Sequence, residues 1–120
     1  MKALILIAHG SKREASNLEF QKMVSQLKVT LMDTFTQIEA SFLEFAEPGI
    51  DETIHAMIQA GITEIKVYPF FLNSGKHVHH DIPEKIREAK ELYPEVDFEL
   101  LAHFGSSAHI LTAITNDLQG

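Results

Sequence analysis

Seven histidines and no cysteine set the chemistry that this 120-residue chain can offer. Three of the histidines fall with an aspartate in the run 77–81, and another, His9, precedes Gly10 directly after an aliphatic segment. Neutral imidazole is a good ligand for Co²⁺, Ni²⁺, Fe²⁺ or Zn²⁺. The lack of cysteine excludes disulfides, thiolate metal sites and iron–sulfur clusters. The residue types therefore indicate a divalent-metal site made of imidazole and oxygen ligands.

Two of these histidines, His9 and His77, are the residues that we predict to bind the metal. The glycine after His9 lets the backbone turn sharply and approach a ligand. His77 lies nearest to Gly75 and to the end of an apolar segment. We expect His79 and His80 to support the site or to provide a second, looser metal affinity.

The other three histidines are expected to lie outside the site. His55 falls beside the apolar stripe of a helical pattern, which predicts a surface position. His103 follows the last apolar segment and His109 lies in the last helical pattern, and we expect a structural role for both.

Two glutamates and three cations accompany the predicted ligands. Glu44 and Glu47 bracket the end of the second apolar segment. Glu44 could bind metal, and either Glu44 or one of the catalytic candidates His9 and His77 could accept a proton as a base. Glu47 precedes a proline and could have no role beyond shaping the loop. Lys12, Arg13 and Lys76 flank the two histidines, and their clustering favours an anionic ligand.

The bulk composition narrows the class of protein. A net charge of −7 argues against a general nucleic-acid-binding surface, which would be basic. No apolar run approaches the roughly 20 residues of a membrane span. The apolar stretch 3–8 is too short for the core of a signal peptide. We therefore expect a cytoplasmic protein with neither membrane nor nucleic acid as a partner.

Four apolar segments alternate with four helical patterns along the chain. The first segment is a near-continuous aliphatic run, typical of a strand buried on both faces. The predicted strands are Lys2–Ala8, 37–45, 65–71 and 96–101.

Capping residues mark the ends of the first three predicted helices. Ser16 is expected to cap the first helix, with Glu19 as its capping-box partner. Gly61 is expected to end the second helix. Asp81 is expected to act mainly as the cap of the third helix, with Pro83 in its first turn.

The last helix is predicted to begin at Ser106 or Ser107. Three aliphatic residues follow at helical spacing, and we expect this helix to bury Ile110, Leu111 and Ile114 against the sheet.

The repeated strand–helix pattern predicts one α/β domain over residues 1–120. Such a chain forms a parallel sheet between two helical layers, a three-layer α/β/α arrangement. With the strand order 2-1-3-4, strands one and three are neighbours, and ligands bind at the carboxyl edge where the order reverses. This topology predicts that His9 and His77 lie within reach of each other.

Three segments of this sequence resemble those of the CbiX-type chelatases. These segments are Leu-Ile-Ala-His-Gly-Ser at 6–11, Phe-Leu-Glu-Phe-Ala-Glu-Pro at 42–48, and Pro-Phe-Phe-Leu-Asn-Ser-Gly-Lys-His-Val-His-His-Asp-Ile-Pro at 69–83. The resemblance covers roughly residues 3–90 in order and spacing, and its longest motif is specific. Residues 102–120 depart from the family pattern, because a proline-containing loop is replaced by His-Phe-Gly-Ser-Ser.

The resemblance implies the flavodoxin-like class II chelatase fold in its short form, which works as a homodimer. It implies insertion of Co²⁺, or of Ni²⁺ or Fe²⁺, into sirohydrochlorin during cobalamin or siroheme biosynthesis. It also implies that His9 and His77 hold the metal, and that the cations bind the carboxylates of the tetrapyrrole. The substrate-binding residues are then Ser11, Lys12, Arg13 and Lys76.

Two other functions are compatible with the same residues. One is a non-enzymatic metal chaperone or store that uses the loop 77–80 and binds no tetrapyrrole. The other is a phosphate-ester binder in which residues 10–13 lead into a helix N-terminus. The single glycine of that loop makes the second alternative the weaker of the two.

Overall fold

The computed structural model describes residues 1–120 and contains four strands and four α-helices in strict alternation. A π-helical turn, His77–Asp81, precedes the third α-helix, and a 3₁₀ turn, Phe104–Ser106, precedes the fourth. The elements are β1 (Lys2–Ala8), α1 (Glu14–Thr30), β2 (Gln37–Phe42), α2 (Ile50–Gln59), β3 (Glu64–Pro69), α3 (Ile82–Leu92), β4 (Asp97–Leu100) and α4 (His109–Gln119).

The sheet is entirely parallel and has the order β2-β1-β3-β4, which confirms the predicted fold class and strand order. The central strand β1 is buried along Ala3–Ile7, as its aliphatic sequence predicts. In register, Ala3 pairs with Gln37 on one side and with Ile65 on the other. The strand order reverses between β1 and β3, so the loops after these strands lie next to each other.

Two hydrophobic cores lie on opposite faces of the sheet. The larger core packs α2 and α3 against β1, β3 and β4. The smaller core packs Phe20 and Val24 of α1 against Leu4, Leu6 and Ile38. Alternating side chains of β1 enter the two cores, because successive residues of a strand point to opposite faces. None of the helices combines the length and apolarity that a bilayer crossing requires.

Strand and helix ends differ from the predictions where local geometry competes with the pattern. The second strand ends at Phe42, not at residue 45, because Phe45 adopts a left-handed φ of 64° and turns the chain away. The prediction that Ser16 caps α1 is wrong, because this helix begins two residues earlier, at Glu14. Gly61 does follow the end of α2, with φ of 92° and its N–H bonded to the Ile58 carbonyl.

The last helix contradicts its predicted burial. It begins after Ser107, whose Oγ accepts a hydrogen bond from the His109 N–H at 3.2 Å. No residue of α4 is buried, and the side chains of Leu111 and Ile114 are 75% and 50% exposed. Helical spacing predicts which residues share a stripe, but a stripe is buried only where another element covers it.

Candidate metal site

Three side chains converge at the carboxyl edge of the sheet, each from a different strand end. His9 directly follows β1, Glu44 follows β2, and His77 begins the π-helical turn after β3. Their potential ligand atoms all lie within 4.8 Å of one another. Residues far apart in sequence therefore form one cluster of two imidazoles and a carboxylate, a donor set suited to a divalent transition metal.

The His9 ring is oriented by its own loop. Its Nδ1 lies 3.0 Å from the Gly10 carbonyl oxygen, which can only accept a hydrogen bond, so Nδ1 carries a proton. The Nε2 atom points at Glu44 and lies 3.1 Å from Oε2. With a proton on Nε2, this contact is an ion pair. A metal ion in place of the proton would accept one electron pair from Nε2 and one from Oε2.

The His77 ring is held in the same way by Asp81, four residues further along the chain. Asp81 Oδ2 lies 2.7 Å from His77 Nδ1, which leaves Nε2 for a metal. The other oxygen, Oδ1, lies 3.2 Å from His80 Nδ1. Hydrogen bonds from His80 and His77 hold the pKa of Asp81 below its ordinary value. His80 thus contacts the site through Asp81, while His79 is exposed and lies outside the cluster.

This role for Asp81 corrects its prediction as a helix cap. Its backbone is already helical, with φ of −64° and ψ of −47°, and its side chain makes no capping hydrogen bond. The π-helical turn runs directly into α3, so no helix end at Asp81 needs a cap, and the carboxylate is free to hold two imidazoles. Pro83 does lie in the first turn of α3, as predicted.

Gly10 allows the loops after β1 and β2 to touch. Its φ is 92°, and a Cβ at this position would lie 1.8 Å from the Glu44 carbonyl oxygen. The Glu44 N–H in turn donates to the His9 carbonyl at 2.9 Å. Only a glycine permits this approach, which brings the backbone of one predicted ligand against that of another.

A buried asparagine, which the sequence analysis missed, fixes the His9 loop. Asn17 is 4% exposed, accepts a hydrogen bond from the Ser11 N–H at 3.0 Å, and donates one to the Ser11 carbonyl at 2.8 Å. This paired contact ties the loop after β1 to α1. An asparagine one turn into a helix that follows a His-Gly-Ser loop is the signal that could have identified it.

The three predicted cations lie close to the clustered histidines in the sequence, two of them within four residues of His9 and the third directly before His77. Lys12, Arg13 and Lys76 are exposed, and none forms an ion pair within the chain. Lys12 Nζ lies 5.3 Å from the centre of the Phe45 ring. Phe45 is 57% exposed, and its ring lies 5.9 Å from that of His9. The rim therefore offers unpaired positive charge beside an exposed aromatic face.

Other predicted or alternative features lie away from the cluster. Glu47 is exposed and does not join it. His55 is exposed, and its Nδ1 lies 3.1 Å from the hydroxyl of Tyr93.

The first turn of α1 carries the acidic Glu14, and Asn17 occupies the Ser11 N–H, so this helix start does not favour a phosphate. A surface cavity of about 450 Å³ lies beside β2 and contains none of the three clustered side chains.

The sequence is similar to that of sirohydrochlorin chelatases. A family model described as CbiX matches residues 3–120. Identity is 29% over 116 residues to the chloroplastic sirohydrochlorin ferrochelatase of Arabidopsis thaliana, covering 97% of this chain and 51% of that protein. Identity is 34% over 88 residues to the sirohydrochlorin cobaltochelatase of Sulfolobus acidocaldarius, covering 73% of this chain and 68% of that protein.

Solved structures share the fold. SirB from Bacillus subtilis with Fe³⁺ superposes with a TM-score of 0.87 and 28% identity, covering 98% of this chain and 46% of that chain. A putative cobalamin biosynthesis CbiX protein from Marinobacter aquaeolei gives a TM-score of 0.82 at 24% identity, covering 99% and 95%, a likeness of fold alone. The chain spans about half the length of several curated relatives that it matches.

Proposed function

This chain belongs to the CbiX family, and from that membership we propose that it inserts a divalent metal ion into sirohydrochlorin. The observation that carries the proposal is the cluster of His9, Glu44 and His77 at the carboxyl edge of the sheet. The side chains of these residues are 39%, 50% and 38% exposed, so the cluster is open on one side. A metal held there is accessible to a second, larger substrate.

The metal ion is a substrate of the reaction, and the cluster would bind it before transfer. Two imidazoles and one carboxylate fill only part of the coordination sphere of a divalent ion. The remaining positions are where ring nitrogens of the tetrapyrrole can replace water. Holding metal and ring together removes most of the entropic cost of their encounter.

The same residues offer acceptors for the protons that leave the ring. Insertion of M²⁺ replaces two pyrrole N–H protons, so two protons must be taken up. As the metal leaves, the lone pairs of His9 Nε2 and Glu44 are freed, and the 3.1 Å contact between them can hold one proton. His77 Nε2 is freed in the same step and can take the other. Glu44 is thus proposed both as a metal ligand and as a catalytic base.

Lys12, Arg13 and Lys76, together with Ser11, are proposed to bind the carboxylates of the tetrapyrrole. The support is the position of Lys12 over the Phe45 ring, which lies beside His9, and the lack of ion pairs to the three cations within the chain. Each exposed ion pair contributes only about 0.2–1 kcal/mol. Neutralising Lys12 and Arg13 together should therefore raise KM for sirohydrochlorin several-fold, with a salt-sensitive effect, while the affinity for metal stays near that of the wild type.

Co²⁺ is the proposed metal, with Ni²⁺ and Fe²⁺ as alternatives. Names of the relatives include both ferrochelatases and cobaltochelatases. Imidazole and carboxylate ligands follow the general affinity order of divalent metals and do not by themselves select one of these three.

The proposal also includes a homodimer and a cytoplasmic location. The open side of the cluster and the greater length of several relatives support a second copy beside the first. Light scattering tests the dimer, and a wild-type protein that is monomeric at micromolar concentration and fully active would contradict it. Fractionation of cells that produce the chain tests the location.

Metal insertion is tested by adding Co²⁺, Ni²⁺ or Fe²⁺ with sirohydrochlorin and following the absorbance of the ring. We expect a spectral change that depends on both metal and protein. Glu44→Gln should weaken metal binding by about tenfold or more and lower the rate. Glu47→Gln is the matched control, because this neighbouring carboxylate lies outside the cluster. If the protein binds metal but none of the three metals gives a spectral change, the enzymatic function is refuted and metal storage is favoured.

A further inference from the structure

Phe45 is an exposed aromatic residue in a backbone conformation that phenylalanine rarely adopts. Its φ is 64°, and it is the only residue other than glycine with a positive φ. Phe45 is 57% exposed, whereas every other phenylalanine and tyrosine of the chain is at least partly buried. A positive φ at a bulky residue is uncommon, and such strain concentrates at functional sites. Because burial in the core does not account for this residue, a role at the surface is indicated.

A tight turn fixes the direction of Phe45. The Ala46 N–H donates to the Glu44 carbonyl at 2.8 Å, so these three residues form a γ-turn with Phe45 at its centre. Ala46 packs against the smaller core, which leaves the side chain before it outside. The Glu44 N–H donates to the His9 carbonyl at 2.9 Å. The turn therefore ties Phe45 to Glu44 and to the loop that carries His9.

The Phe45 ring lies beside the metal cluster and close to a cation. Its centre is 5.9 Å from that of the His9 ring, at an interplanar angle of 50°. The His9 ring in turn lies 4.7 Å from the His77 ring, so three rings follow one another across the cluster. The ammonium group of Lys12 lies over the Phe45 ring, 5.3 Å from its centre. An aromatic surface with a positive charge beside it thus borders the predicted ligands.

This combination suits a ligand that is flat and aromatic at its centre and anionic at its edge. Aromatic rings pack in offset or tilted arrangements, with centres about 4.5–7 Å apart. The cavity of about 270 Å³ that contains Glu44 and His77 has Leu43 as its only hydrophobic lining residue. That cavity offers little apolar surface to the face of a macrocycle. Phe45, at the rim beside His9, offers the aromatic surface that the cavity lacks.

We propose that Phe45 stacks against one face of the tetrapyrrole and holds it over the metal bound at the cluster. The proposal rests on the proposed function and names a further residue that binds its second substrate. A macrocycle centred on the metal extends beyond the imidazoles that hold the ion, and Phe45 borders one of them, His9. Phe45 has no group that moves a proton or binds a metal, so its contribution is to binding of the macrocycle alone.

Lys12 is proposed to change its contact when the macrocycle binds. An exposed contact between an ammonium group and an aromatic face is weak, so the macrocycle can displace it from the Phe45 ring. The ammonium group then lies at the edge of the macrocycle, where it can pair with a carboxylate. The aromatic face and the cation thus recognise different parts of the same ligand.

The test is titration of metal-free sirohydrochlorin with wild-type protein and variants, followed by the absorbance of the macrocycle. Asparagine tolerates a positive φ, so Phe45→Asn removes the aromatic ring and keeps the turn. We expect its dissociation constant for sirohydrochlorin to rise about tenfold, the scale of one aromatic contact. Phe45→Tyr should recover most of this loss. Leu92→Asn is the matched control, because Leu92 is 70% exposed at the end of α3, at the opposite edge of the sheet.

Three further measurements separate stacking from a structural role. Calorimetry should give Phe45→Asn a Co²⁺ affinity near that of the wild type. Its urea midpoint should be no lower than that of the wild type, because Phe45 is mostly exposed and asparagine suits the positive φ better. The loss of sirohydrochlorin affinity should persist at high salt, since salt screens charges and not stacking, whereas the effect of neutralising Lys12 and Arg13 should fade.

Each alternative gives a different result. Unchanged sirohydrochlorin affinity in Phe45→Asn would overturn the proposal, and so would an equal loss in Leu92→Asn. A lower urea midpoint, or a Co²⁺ affinity that falls together with the sirohydrochlorin affinity, would overturn it in favour of a residue that only positions Glu44. A wild-type protein that binds no sirohydrochlorin would refute the proposed function itself. That outcome is distinct from wild-type binding that does not depend on Phe45.

Discussion

Replacement of Gly10 by alanine is the sharpest perturbation of the link between the loops and the metal cluster. A Cβ at Gly10 would meet the Glu44 carbonyl oxygen at 1.8 Å, and real contacts of this kind stay above 3.0 Å. The backbones of Gly10 and Glu44 must therefore separate by at least about 1.2 Å. Metal–ligand distances vary by only about 0.2 Å. We expect Gly10→Ala to weaken Co²⁺ binding by about tenfold or more, the scale of one lost metal interaction.

Gly61→Ala is the matched control, because both glycines have φ of 92°. A Cβ on Gly61 would meet only the flexible end of Met1, at 3.2 Å. Backbone strain should cost each variant about 1–2 kcal/mol of unfolding free energy. The clash with Glu44 should add about 1–3 kcal/mol to the loss in Gly10→Ala alone. Both proteins should still fold, since domains of this size are stable by about 5–15 kcal/mol.

Urea unfolding and calorimetric titration with Co²⁺ measure the two effects separately. Gly61→Ala should keep wild-type metal affinity despite its lower stability. Equal stability losses in the two variants, with unchanged metal affinity in both, would refute the inference that contact between the two loops positions Glu44.

Two further predictions concern residues that hold the ligands in place. Asn17→Ala should lower the unfolding free energy by about 1–3 kcal/mol, because the Ser11 backbone loses two hydrogen bonds. A loss of less than about 0.5 kcal/mol, measured by urea unfolding, would contradict this prediction. Asp81→Asn should weaken Co²⁺ binding about tenfold while KM for sirohydrochlorin stays unchanged, since Asp81 orients His77 and not the ring. Because hydrogen bonds from His80 and His77 lower the pKa of Asp81, its ionised form stabilises the fold above its unfolded pKa. That contribution is lost as the pH falls through the lowered pKa, and unfolding of Asp81→Asn against pH should lack this part of the dependence.

The sequence by itself was sufficient for the fold and for naming all three clustered residues as candidates, but it placed only His9 and His77 beside each other. Strand β1 is aliphatic along its whole length, and that composition predicts a central position. Alternation with helical patterns predicts a parallel sheet, and parallel strands end at a common edge. His9 and His77 could therefore be placed together from their positions after β1 and β3, because the rule that brings them together depends only on the order of elements.

Only the tertiary structure decided how Glu44, Asp81 and α4 are used. Glu44 joins the cluster because Gly10 lets its backbone touch the next loop, a contact between residues more than 30 positions apart. Asp81 holds His77 because a π-helical turn continues into α3, where a cap had been predicted. The apolar stripe on α4 follows from local spacing, but its exposure depends on where the loop after β4 places the helix. Local patterns determine which faces of a segment are apolar, whereas long-range contacts determine which part of the molecule covers each face.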